Sequence, residues 1–432
     1  MKPWLVALLL ALAVARFGQV AYRGLTYSIG DFYSTLPGAY VETFNPTLWN
    51  SPDLVDEVGK RPSYRRGPTQ LLTTLPLSYL DSYREIALVL LVVYGVLIFA
   101  SAFVMWRSFS GPSRDGTLLA LVVSSSLLFY PTLLAYTARE FEVLLLFVTV
   151  LLFAAARAGR QWAVGAWTAY LSLFKYLPLG LLPLLVARRW WKALAGFAIT
   201  AALMLAAAHA MFGLQNFSSD GFLGNFIAHM LPGRTDTFCQ AYQGWHYESN
   251  QHEVSIRFAL CSLNETVRFP MVPVYLALIV ATLAALALGY LRAERAAPLP
   301  PDAERWRATW ELSAVVIIYT TYVYAHYYYL IFLIVPLTAV MVRAYQQGRI
   351  GLWIAWGVSY VMLSAFLLPL SLLTRLLQVD AFTWYLQTFA YVPGILLLLG
   401  TVLYEYIRVS DAIHSERSVL AGSTLAARRA GM

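Results

Sequence analysis

About twelve apolar stretches follow one another through this chain, and short arginine-rich steps close every second gap between them. They lie near residues 3–22, 85–106, 117–135, 141–156, 162–175, 177–187, 191–213, 269–291, 309–325, 327–343, 351–373 and 389–407. A bilayer core about 30 Å thick takes about 20 helical residues to cross. Inside it no water satisfies a free N–H or C=O, so apolar segments of this kind have to form helices. Only 12% of the residues are charged, against about 25% in soluble domains, and lipid must therefore solvate most of the surface. The predicted fold is all-α and polytopic, with about twelve transmembrane helices in one domain over residues 1–410 and a cytoplasmic tail over 411–432.

The basic steps set the orientation. They carry Arg107 and Arg114, Arg157 and Arg160, Arg188, Arg189 and Lys192, Arg292 through Arg307, Arg343 and Arg349, and finally Arg408. Loops rich in Lys and Arg stay on the cytoplasmic side. Both termini then lie inside, and the chain is a multi-pass protein of the inner (plasma) membrane. The net charge of +8 follows from topology and implies no nucleic-acid partner, only membrane lipids. No small-residue cleavage site follows the first stretch, which reads as an uncleaved helix. Two long connections, about 23–84 and 214–268, fall on the outer side. The first holds two amphipathic pieces, one from Asp31 to about Val41 and one starting near Pro68 with a stripe of Leu71, Leu72, Leu75, Leu77 and Leu80, both suited to lie in the membrane plane. The stretch 162–187 is interrupted by Phe174-Lys175-Tyr176-Leu177-Pro178. It is either two short helices that meet outside or a re-entrant pair buried in protein.

Polar residues at the outer ends are the candidates for chemistry. Asp31 opens the first outer loop in Ser28-Ile29-Gly30-Asp31-Phe32-Tyr33. A carboxylate there either caps a helix or acts as a base toward a hydroxyl, and the residues alone leave both open. Arg65 and Arg66 suit phosphate oxygens, with lipid headgroups as the simpler partner. Glu140, in Arg139-Glu140-Phe141-Glu142, belongs either to a solvated turn or to one wall of a polar cavity. Lys175 is a cation in an apolar run, costly in lipid and a mark of function unless it snorkels. Asn250 and Gln251 lead into an amphipathic segment and offer amides to sugar hydroxyls. His326, in the run from Tyr322 to Tyr329, is either the polar member of an aromatic belt or a donor to phosphate. Cys239 and Cys261 are the two cysteines and share the second outer loop. An oxidising compartment lets them pair, which stabilises by about 3 kcal/mol. No zinc-ligand spacing, outer-loop Asp-x-Asp pair or phosphate-binding glycine loop occurs, so neither metal nor cofactor is expected.

Four segments in order resemble one family. They are Gly30-Asp31-Phe32-Tyr33 with Asn45-Pro46; Tyr64 through Leu80; Leu173 through Pro178 with Pro183-Leu184-Leu185 and Arg188-Arg189-Trp190-Trp191-Lys192; and Asn250-Gln251 with His326. Together they resemble the GT-C class of membrane glycosyltransferases, in particular the polyprenyl-phosphate-mannose-dependent mannosyltransferases of glycosyltransferase family 87. The resemblance implies inverting transfer of a hexose, mannose first, from a polyprenyl monophosphate donor. The acceptor would be a glycolipid or polysaccharide of the cell envelope, on the extracytoplasmic face. It also implies Asp31 as general base, with His326 and Lys175 near the donor phosphate. Arg65 and Arg66 are added as phosphate ligands on chemistry alone, and Tyr33, Glu140, Asn250 and Gln251 as sugar or acceptor contacts. Two segments depart from the pattern. Arg139-Glu140-Phe141-Glu142 stands where the family has a Gly-Gln-x-Asn-like step, and the run Thr320 to His326 keeps only the histidine of Ser-Pro-x-Ser-Trp-x-His. A secondary transporter and a non-catalytic lipid-binding subunit are the alternatives. Transporters are often built from two similar halves, which this chain lacks, and the subunit makes Asp31 replaceable.

Overall fold

The computed structural model describes residues 3–26, 83–111, 115–138, 140–175, 177–212, 254–295, 300–322, 327–364 and 388–409, with 69, 72–73, 76–77, 80 and 385–386. Among them every regular element is helical. In chain order the helices are α1 (Pro3–Thr26), α2 (Tyr83–Phe109), α3 (Gly116–Leu128), α4 (Tyr130–Thr137), α5 (Glu142–Arg157) and α6 (Gln161–Phe174). A 3₁₀ turn (Leu177–Leu181) leads to α7 (Leu182–Ala187), α8 (Trp191–Phe212), α9 (Ile256–Thr266), α10 (Met271–Arg295) and α11 (Pro301–Thr321). A second 3₁₀ turn (Tyr327–Leu333) precedes α12 (Ile334–Gln347), α13 (Ile350–Leu363) and α14 (Tyr391–Val409).

Six of these segments are long and apolar enough to cross a membrane, or seven if α3 and α4 form one bent span. Among the described residues, fewer segments pass that test than the twelve apolar runs, and local features account for part of the difference. Pro131 near the start of α4 lacks an N–H and its ring clashes with the turn before it, so α3 and α4 meet at 56°. The runs 141–156 and 162–175 become α5 and α6, of 16 and 14 residues. The run at 309–325 reaches back to Pro301, so Glu304, Arg305 and Arg307 ride on α11 rather than in a loop. The leucine stripe from Leu71 is described in part. Leu77 and Leu80 pack on the core, and the Thr73 and Tyr170 hydroxyls lie 2.8 Å apart. The amphipathic piece from Asp31 to Val41 and the tail lie outside the described residues.

The arginine-rich steps converge at one end of the bundle. Arg157 donates to the Ser108 carbonyl at 2.7 Å and to Thr309 at 2.8 Å. Its guanidinium stacks 4.6 Å from Trp306, which Arg343 also covers at 4.9 Å. Arg188 pairs with Glu304 and Glu311; Glu311 also accepts from Arg307 at 3.2 Å and from the Tyr406 hydroxyl at 2.7 Å. Glu405, fully buried, pairs with Arg349 and Arg408. Three tight turns at this end use a left-handed residue, Gly159 (φ 69), Arg189 (φ 53) and Gly348 (φ 62). Each turn returns the next N–H to a carbonyl of the helix just ended, the usual way to satisfy its last acceptors.

Between the two ends the packing is chiefly apolar. α6 and α8 cross so closely that a Cβ on Gly165 would lie 1.8 Å from the Ala193 carbonyl oxygen. The outward faces of α8 and α10 leave Leu203 and Val280 about two-thirds exposed. Such faces match lipid rather than water.

Gly165→Ala is expected to lower stability by roughly 1–3 kcal/mol through overpacking. Gly18→Ala on α1, with no atom within 4 Å of the added carbon, is expected to leave the thermal midpoint in detergent unchanged or raise it. Asp115 caps α3 by accepting from Thr117 N–H at 2.8 Å, and it accepts from the Tyr345 hydroxyl. These bonds, the tyrosine's first, hold its carboxyl below the ordinary value of 3.8. A carboxylate depressed on folding adds stability above its unfolded value and loses it as pH falls through the folded one. The melting midpoint of Asp115→Asn should therefore fall less steeply than that of the native protein below about pH 4.

Candidate active site

At the end opposite the arginines, two helix termini meet. α5 and α6 are joined by a short turn at the arginine end, so the start of α5 lies beside the finish of α6. A helix N-terminus favours an anion and a C-terminus a cation. Glu142 is the first residue of α5 and Lys175 is the C-cap of α6. α6 stops there because Pro178 cannot donate into a continuing helix, and Lys175 turns extended (φ −140, ψ 130). Fourteen helical residues span about 21 Å. Measured from the arginine end, the break falls well short of a bilayer core about 30 Å thick.

The Lys175 ammonium pairs with Glu142 Oε1 and donates to the Tyr329 hydroxyl at 2.7 Å, with the Tyr329 ring also close beneath it. Glu142 is fully buried, whereas the Lys175 side chain is 28% exposed. The second carboxylate oxygen, Oε2, is buried and has no hydrogen-bond partner among the described residues. An ammonium has three N–H donors, and two are committed. Lys175 lines a small, chiefly apolar pocket with Leu177, Pro178, Thr149, Tyr319 and Thr320. The Thr320 hydroxyl is also buried and unpartnered among the described residues. A cation with a spare donor beside a chiefly apolar pocket suits a ligand with one anionic group on an apolar body.

The predicted site residues divide into two groups. Lys175, singled out because it interrupts an apolar run, lines this pocket. Glu140 lies two residues before Glu142, and its N–H bonds the Ala135 carbonyl at 2.9 Å. Cys261, on α9, is disulfide-bonded. Asp31, Tyr33, Arg65, Arg66, Cys239, Asn250, Gln251 and His326 lie outside the described residues. Sequence reasoning left Tyr329 among its aromatic neighbours and gave Glu142 no role of its own. Glu142 could have been found as the one carboxylate within α5, paired in type with the one lysine of the broken stretch. Among the described residues no three His, Cys, Asp or Glu side chains converge as metal ligands.

The sequence model of glycosyltransferase family 87 matches residues 66–303. No curated protein matches the chain, and no solved structure does.

Lys175→Ala is expected to destabilise by about 3–5 kcal/mol, because it strands a buried carboxylate. The double variant Lys175→Met with Glu142→Gln removes both charges and should recover most of that loss. Thermal unfolding of the two proteins in the same detergent checks the comparison.

Proposed function

Because the chain belongs to glycosyltransferase family 87, we propose that it takes its sugar from a polyprenyl monophosphate, mannose first, and passes it to a glycolipid or polysaccharide acceptor. That it is a membrane glycosyltransferase follows from the family and the apolar helices. The observation that carries the finer reading is the Lys175 ammonium beside a chiefly apolar pocket. The polyprenyl chain needs lipid access, and the phosphate needs a cation recessed from the surface. The partly exposed Lys175 beside apolar lining at the break of α6 supports this reading.

In the proposed reaction an acceptor hydroxyl attacks the anomeric carbon from the face opposite the phosphate. The new C–O bond forms as the bond to the phosphate oxygen breaks, and the phosphate leaves with the electron pair. Asp31 takes the acceptor proton. Lys175, with His326, Arg65 and Arg66, stabilises the charge gathering on the phosphate, the kind of electrostatic help that lowers such barriers most. Tyr33, Glu140, Asn250 and Gln251 hold the sugar and acceptor hydroxyls. The site opens on the extracytoplasmic side, opposite the arginine-rich end, because basic loops stay inside.

Asp31→Asn in the purified full chain, supplied with polyprenyl-phosphate mannose and a lipid acceptor, is expected to slow turnover by about 10²–10⁴-fold. Normal turnover in a folded variant would remove Asp31 as the base. Uptake of a soluble solute by proteoliposomes, with no sugar transfer, would turn the reading toward a transporter.

A further inference from the structure

We propose that Glu142 is the counter-charge of the donor-phosphate site, a positioning residue that limits how tightly Lys175 holds the phosphate. This rests on the proposed role of Lys175. Three observations lead to it. Glu142 is fully buried, and its ion-pair partner among the described residues is Lys175, which lines the pocket and is itself 28% exposed. Its Oε1 engages the ammonium while Oε2 has no partner among the described residues, so among them the ammonium is the one group this carboxylate serves. Tyr329 holds the same ammonium from the other side at 2.7 Å, so Lys175 is aimed by two contacts and offers its third N–H to a ligand.

The consequence is electrostatic. A lone lysine in a recessed site attracts a phosphate in both the sugar-loaded and the spent form. The spent monoester carries more negative charge, so it would be held the harder of the two. With Glu142 in place the Lys175–Glu142 pair is neutral before any ligand arrives. The phosphate then gains a directed hydrogen bond without the full attraction of an uncompensated cation. Its release after transfer is correspondingly easier.

The test is binding rather than turnover. Farnesyl phosphate and farnesol serve as probes on the full chain in detergent, and the alcohol reports binding that does not involve the phosphate. Glu142→Gln is expected to bind farnesyl phosphate roughly tenfold more tightly than the native protein. That is the effect of losing one charge at hydrogen-bond range once screening is counted. Farnesol affinity should not change. Glu142→Asp keeps the charge but draws it back by one methylene, and should tighten phosphate binding only a few-fold. It is read in the same way if the glutamine variant does not fold. Equal phosphate affinity in these variants and the native protein, or an equal shift for phosphate and alcohol, overturns the proposal. The double variant Lys175→Met with Glu142→Gln separates the two levels. If it binds farnesyl phosphate as tightly as Glu142→Gln alone, the phosphate role of Lys175 itself fails. If it loses that affinity while Glu142→Gln gains none, only the counter-charge role fails.

Discussion

A charge drawn away from water into a low-dielectric bundle needs a partner, because desolvation costs more than a lone ion can recover. Most of the structure outside its apolar packing is arranged around that constraint. At one end Arg188, Arg307, Glu304 and Glu311 neutralise one another between the turn after α7 and the first half of α11. Glu405 does the same for Arg349 and Arg408 between α13 and α14. Arg157 lacks a carboxylate partner among the described residues and instead uses carbonyls, Thr309 and the face of Trp306. These contacts tie together helices that apolar packing alone would let slide.

The other end obeys the same rule: among the described residues the Glu142 carboxylate and the Lys175 ammonium pair across the facing termini of two adjacent helices, where the helix dipoles favour them. One partner is buried and the other is partly exposed beside a pocket, the arrangement on which the proposed anion recognition rests. At the arginine end Arg157, Arg188 and Arg307 are enclosed by rings, carboxylates or both.

Much of this was readable from residues in order. Lipid leaves helices as the one open-ended way to satisfy a backbone, so apolar runs announced an all-helical protein. Lys175 beside Pro178 announced the break in the helix. Other features were not readable. Apolar runs do not report where Pro131 bends a helix or how far α11 extends through its charged first turns. Those charges look like a loop until Arg188, more than a hundred positions earlier, is seen to neutralise them. Glu142 looked like one of three charges at a helix end, because its burial depends on where α6 finishes.

Sequence by itself determined the helical class, the grouping of basic turns at one end and the identity of the cation at the break. It could do so because each depends on local composition and on the cost of bare polar groups in lipid. Tertiary structure alone decided which carboxylate meets Lys175, that Tyr329 completes the contact and that a pocket opens beside them. Those outcomes depend on the packing of α5, α6, α11 and the 3₁₀ turn after α11. Burial and pairing of charge are properties of that packing, and no single segment of the chain carries them.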